Sequence, residues 1–137
     1  MTNSDLFELV IFKAISKIRE DFPQNIILEF DYLLTEEDCP DGEKRDEICY
    51  NSVQWLQKNG YIIIEGKEIG RFFSYVTPME KLFAVMGMIP PSLQAENKTL
   101  SSFFGECAQK ATRESISDAI KLLINTGASI GCSAISL

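Results

Sequence analysis

With 137 residues, 45% of them apolar and 24% charged, the chain has the size of one domain and apolar material for a core without a disulfide or metal staple, which excludes disorder over its whole length. Histidine is absent and the formal net charge is −7, so the commonest general base and the commonest zinc ligand are missing together. Cys39, Cys49, Cys107 and Cys132 are scattered, with no Cys-x-x-Cys pair; with no basic leader and no apolar run of about 18–20 residues, the expectation is a cytoplasmic protein with reduced thiols and no membrane span.

Asn3 or Ser4 offers an N-cap for a helix over about Asp5–Glu20, with Lys17 and Arg19 late as the helix dipole favours. Asp21-Phe22-Pro23 ends it, because the residue before a proline avoids the helical region. Leu6, Phe7, Val10, Ile11, Ala14 and Ile18 form one broad apolar face, and Leu9 and Phe12 fall on roughly the opposite side. A helix apolar on two sides needs two partners, the second from this chain or from another subunit. Residues 24–34 read as a short strand from Asn25 to Glu29 followed by a short helix from Phe30 to Leu34, an ambiguous stretch. Thr35 to Glu43 is an acidic loop with the turn sequence Cys39-Pro-Asp-Gly42 at its centre.

A second helix is predicted from Glu43 to Asn59, stopped by Gly60. Ile48, Cys49, Val53 and Leu56 make its apolar face; Glu47, Tyr50, Asn51, Gln54 and Lys58 make the other, with Trp55 at the edge. Tyr61–Glu65 and Arg71–Val76 then read as two strands joined by a turn over residues 66–70. Thr77-Pro78 predicts the cap and first residue of a helix from Met79 to about Met88. A linker follows to Lys98, and Thr99 to Asn125 reads as one helix or as two that break near Thr112-Arg113. The last stretch, 126–137, has no charged residue and is expected to be flexible unless a partner holds it.

The segment from Tyr50-Asn-Ser-Val-Gln-Trp55 through Asn59-Gly-Tyr-Ile62, then a hairpin, then Val76-Thr-Pro-Met-Glu-Lys-Leu82, resembles the core of winged-helix proteins. In that superfamily a recognition helix ends in Asn-Gly or Glu-Gly, a strand and a wing follow, and a Leu-Thr-x-x-Gly helix closes the unit. Val76-Thr77 holds the Leu-Thr place, whereas Leu82 stands near the usual glycine. Over nearly its full length the chain also resembles a group of short bacterial and phage-associated winged-helix proteins, through Ile89-Pro-Pro-Ser-Leu93 and the amphipathic Ala108–Ala119 stretch. The likeness implies a fold and carries no activity over. The expected fold class is therefore α+β, mostly α: a winged helix-turn-helix with a two- or three-stranded antiparallel wing over residues 1–90, a linker at 91–98, a C-terminal helix at 99–125 and the tail at 126–137.

Function divides on charge. Residues 29–47 hold nine acids (Glu29, Asp31, Glu36, Glu37, Asp38, Asp41, Glu43, Asp46, Glu47) against Lys44 and Arg45, which accounts for the entire net charge. Direct DNA reading would use Asn51, Gln54 and Lys58 on the helix at 43–59, Lys67 and Arg71 on the wing at 66–71, and Lys44 and Arg45 beside them. Phosphate contact demands clustered Lys and Arg, so a transcriptional regulator is the alternative and nucleic acid is not the favoured partner. The preferred reading is a non-catalytic regulatory or protein-interaction module, with Tyr50 and Trp55 as anchors and Glu36, Glu37, Asp38 and Asp41 facing a basic partner. An immunity or inhibitor protein acting on a basic toxin or nuclease is compatible with it. Trp55 has a second reading, packed under the wing or the last helix. Leu9 and Phe12 offer a homodimer contact, against the alternative that the last helix folds back on the first. No nucleophile-and-base set or phosphate loop appears, so no enzyme and no cofactor are expected. An EF-hand loop centred on Gly42 would require Cys39 and Ile48 as ligands and is rejected.

Overall fold

The computed structural model describes residues 1–66 and 70–135, with side chains through residue 130. In chain order the elements are α1 (Asn3–Asp21), β1 (Ile26–Glu29), α2 (Phe30–Leu33), α3 (Gly42–Lys58), β2 (Ile62–Ile64), β3 (Phe72–Pro78), α4 (Glu80–Gly87), a 3-10 turn (Pro91–Glu96), α5 (Leu100–Lys110) and α6 (Arg113–Ile135). The architecture is α+β and mostly helical, with a small antiparallel sheet in the order β1-β3-β2. The chain divides into two compact units, Met1–Met79 and Glu80–Leu137.

In the first unit Thr2, rather than Asn3 or Ser4, caps α1. Its hydroxyl accepts from the Asp5 N–H at 3.2 Å while Asp5 Oδ2 accepts from the Thr2 N–H at 2.9 Å, a reciprocal capping box. The helix buries Leu6, Val10, Ile11, Phe12, Ala14, Ile15 and Ile18. A helix buried on that many sides needs several neighbours, and α2, α3, β1 and β3 all pack on it. The ambiguous stretch after it resolves into β1 and the single turn of α2.

Asp41 caps α3, its Oδ1 accepting from the Glu43 and Lys44 N–H groups at 3.1 and 3.2 Å. At the other end Gly60 takes φ 80°, where a side chain would be strained. Gln57 Oε1 then accepts from the Ile64 N–H at 2.7 Å and ties α3 to β2.

β3 is the central strand, with β1 on one edge and β2 on the other. The β1–β3 register shifts between Ile26↔Val76 and Leu28↔Phe73, so β3 carries one extra residue. Phe73 and Val76 are three apart and would face opposite ways in a regular strand; the bulge turns both into the core. Tyr75 absorbs the distortion at φ 51°, with Asn25 Oδ1 accepting from its N–H at 3.2 Å. Gly66 lies so close to Ser74 that a Cβ would collide with the Ser74 carbonyl and hydroxyl oxygens.

One helix start and the division between the units differ from expectation. Thr77 and Pro78 do not open a helix; they pair with Ile63 and Ile62 as the end of β3, and the Met79 N–H continues toward β2 by donating to the Tyr61 carbonyl at 2.8 Å. Pro78 is tolerated there because it ends the strand. The helix that follows, α4, packs on α5 and α6, so the boundary between the units falls ahead of residue 90.

In the second unit Leu82, Val85, Leu93, Leu100, Phe104, Ala119, Ile120 and Leu123 are buried. The long C-terminal helical stretch breaks in two. Ala111 adopts φ 53° as the C-cap of α5, and Thr112 Oγ1 accepts from the Ser115 N–H at 3.1 Å to start α6. Lys98 joins Glu96 and Glu106, each at 2.8 Å, across the start of α5. From Thr126 onward the chain is helical as far as Ile135. With no proline to stop it, a run of small and apolar residues simply continues the helix begun at Arg113; residues 136 and 137 lie outside the described ones. Among the described residues no helix is long and apolar enough to cross a membrane.

Candidate interaction groove

The bases expected to meet phosphate go to different places. Arg71, at the start of β3, is held by two carboxylates: its Nε and Nη2 donate to Asp46 at 3.0 and 2.7 Å, and its Nη1 lies 2.9 Å from Asp31 Oδ1. These bonds, Asp46 first, raise the guanidinium pKa further above its ordinary value. Arg45 is 9% exposed; its Nη1 donates to the Cys39 carbonyl at 2.8 Å, and its buried Nε has no partner among the described residues. Lys44 and Lys58 are exposed, and Lys67 lies outside the described residues. Asn51 is exposed, while Gln54 is half-buried and accepts from Gln57 Nε2 at 3.2 Å. Of the described bases among them, Arg45 and Arg71 are tied to acceptors within the chain, and Lys44 and Lys58 are exposed.

The acids sort in a similar way. Asp41 caps α3, and Asp38 accepts from the Thr35 N–H and hydroxyl at 2.9 and 3.0 Å, with Lys13 Nζ 4.0 Å away. Glu36 and Glu37 are exposed. Among the described residues neither they nor Glu43 and Glu47 form a side-chain ion pair.

Of the apolar candidates, Phe12 is 6% exposed and packs inside the chain, which removes it as a contact for a second copy; Leu9 is half-buried. The reason is the number of elements around α1, which the helix pattern alone does not reveal. Tyr50 remains exposed at the surface, its ring 5.5 Å from Phe73. Trp55 is half-buried. It meets Phe7 edge-on at 5.3 Å and stacks on Tyr61 at 5.9 Å, so it bridges α1 and the start of β2.

Trp55 also forms one end of a groove of about 400 Å³ between α1 and α3, lined by Asn3 and Phe7 from α1 and by Lys44, Glu47, Ile48, Asn51, Ser52 and Trp55 from α3. The α3 residues lie at helix spacing on one face, three and four apart. Phe7, Ile48 and Trp55 are all half-buried and give the groove its apolar walls; the amides and the two charges sit around them. Three of the expected contact residues, Lys44, Asn51 and Trp55, therefore share one surface. By their apolar faces Phe7 and Ile48 read as core, and only the crossing of the two helices leaves their edges open. Asn3 reads as a cap and carries no signal of a site.

A second cleft of about 330 Å³ is lined by Lys17, Asp21, Asn25, Ile27, Glu29 and Tyr32. Its main charges meet each other: Lys17 lies 3.2 Å from Asp21 and 5.9 Å from the centre of the Tyr32 ring. Cys39, Cys49 and Cys107 are buried free thiols. Burial, with Asp46 next, pushes the Cys49 thiol up to about 12, which keeps it protonated and unreactive. Compared with protein-family models, with curated proteins and with solved structures, the chain finds no match.

Proposed function

We infer that the chain is a non-catalytic binding module that acts through protein contacts on a winged-helix scaffold. The order helix, strand, helix, helix and hairpin supports the scaffold, as does the ending of α3 at Asn59-Gly60 just before β2. Free buried thiols support a reducing, cytoplasmic setting.

The observation that carries the reading is the character of the exposed face of α3. A groove-reading helix gains most of its DNA affinity from unpaired Lys and Arg along the phosphates. Here Arg45 donates inward to Cys39, Arg71 is clamped by Asp46 and Asp31, and a half-apolar groove opens beside Lys44 and Asn51. Tryptophan and other aromatic side chains at such an edge are the residues that anchor protein interfaces.

Fluorescence anisotropy with a labelled random-sequence duplex tests the reading. No binding is expected at physiological salt. Binding there, with an affinity that falls steeply with added salt, would overturn it in favour of DNA recognition through Lys44, Asn51 and Lys58.

A further inference from the structure

The sheet has two edges, and the chain treats them differently. β2 is held on β3 by the Met79 N–H on the Tyr61 carbonyl and the Glu65 N–H on the Tyr75 carbonyl. The alternation of an antiparallel ladder therefore turns the backbone groups of Ile62 and Ile64 away from β3. α3 packs along that edge, and Gln57 Oε1 takes the Ile64 N–H at 2.7 Å. At the other edge the Phe30 N–H donates to the Arg71 carbonyl, and Glu29 and Leu28 stand opposite Phe72 and Phe73. The same alternation turns outward the N–H and carbonyl of Ile27 and the N–H of Glu29. None of these three groups has a partner among the described residues. They open onto the cleft that Lys17, Asp21 and Tyr32 complete. The Ile27 side chain is 39% exposed, and Tyr32 and Tyr75 near it are exposed as well.

We propose that this edge pairs with the same edge of a second copy of the chain, β1 antiparallel to β1 about a twofold axis at Ile27. Unpaired main-chain donors and acceptors at alternate residues select a strand as the occupant. β1 is complementary to itself. In this register Ile27 lies opposite the second copy's Ile27, and each donates its N–H to the other's carbonyl. Glu29 lies opposite the second copy's Asn25, so that its N–H meets the Asn25 carbonyl. Asn25 Oδ1 already accepts from the Tyr75 N–H at 3.2 Å, which leaves its amide nitrogen to donate. The Glu29 carboxylate, without an ion pair among the described residues, is the acceptor facing it. Side chains 25, 27 and 29 all lie on the exposed face, so apolar meets apolar and donor meets acceptor, with no like charges opposed along β1. Lys17 and Asp21 at that end of the cleft pair with each other at 3.2 Å and add no net charge. Sliding the pair by two residues in either direction parts Ile27 from its mate.

Sedimentation velocity of the full chain, diluted from about 100 μM, should show a reversible monomer–dimer equilibrium. Amide hydrogen exchange over the same range should slow at least about tenfold at Ile27 and Glu29 as the dimer forms. Ile64, whose N–H is already held by Gln57, should not change. Ile27→Lys sets two cations against each other across the axis and should abolish the dimer, and Ile27→Glu should do the same with two anions. The side chain is exposed, so circular dichroism should show both variants folded. An equimolar mixture of the two places lysine opposite glutamate and should restore a dimer. Ile63→Lys, at an equally exposed isoleucine on β2, should leave the equilibrium unchanged.

A monomer at the highest concentration would overturn the proposal. A dimer that survives Ile27→Lys would place the contact elsewhere, and one that Ile63→Lys disrupts to the same degree would be general apolar association; either result sinks the pairing. Lys and Glu variants that stay apart when mixed would reject an axis at Ile27. The exchange measurement needs no variant, so unslowed Ile27 and Glu29 amides in a dimer would decide against β1 even where a substitution disturbs the fold. The pairing depends on neither outcome of the duplex experiment, which alone decides between protein and DNA contact.

Discussion

At Cys49 burial acts on a single proton. The thiol is fully buried, and loss of solvent raises its pKa from about 9 to about 12. Between those values the unfolded chain has released the proton while the folded chain still holds it. The unfolded state then binds fewer protons, so stability is complete below about pH 9 and declines as the pH rises through about 12. Urea midpoints measured across that range should fall, and Cys49→Ala should flatten part of the decline. An unchanged slope in the variant would put the effect on Tyr61 and Tyr32, whose pKa values burial also raises. Phe12 gives a second residue-scale expectation. Because the ring packs inside the chain, Phe12→Ala should cost about 3 kcal/mol, read as a lower urea midpoint. A loss of oligomer at unchanged stability would instead return Phe12 to an interface.

The helices are legible where the chain punctuates itself. Gly60 closes α3 because a glycine after a helix has few other uses, and the structure uses it so; Asp41, which reads as part of an acidic turn, supplies the cap at the other end. Thr77-Pro78 carries the same kind of signal and means something else. Threonine favours strands, and proline at a strand's end gives up no ladder bond, so the pair closes β3 as readily as it opens a helix. The bulge at Tyr75 has no signal at all, since a tyrosine at φ 51° contradicts its own preference. The groove is half legible: polar Lys44 and Asn51 read as surface and Phe7 and Ile48 as core, yet the site exists only where the two kinds meet across a helix crossing. The cap on α3 is open to test. Asp41→Ala should lower stability by about 1 kcal/mol, whereas Asp41→Asn, which keeps the acceptor, should retain most of it. Thermal melts of the two variants compare them directly, and equal losses would mean that the charge rather than the hydrogen bonds matters at this position.

Across the whole molecule the net charge of −7 resides in residues 29–47, and the structure separates eight of those nine acids into two groups. Asp31 and Asp46 hold Arg71, Asp38 holds Thr35 and Asp41 holds α3. Glu36, Glu37, Glu43 and Glu47 hold nothing among the described residues, and they repel one another and their neighbours. Substitution of the first group should therefore lower stability, and substitution of the second should not. Asp46→Asn removes the bidentate partner of Arg71 and leaves a cation facing Asp31 alone, so its thermal midpoint should fall. Glu36→Lys/Glu37→Lys relieves crowding of like charge, so its midpoint should hold or rise, most clearly at low salt where screening is weakest. Melts of both variants with and without added salt test the division. A fall in the glutamate variant equal to that in Asp46→Asn would mean that the loop carboxylates support the fold, and they would no longer be free for a basic partner. Retained stability in the glutamate variant would separate the acids that build this protein from those that only charge its surface.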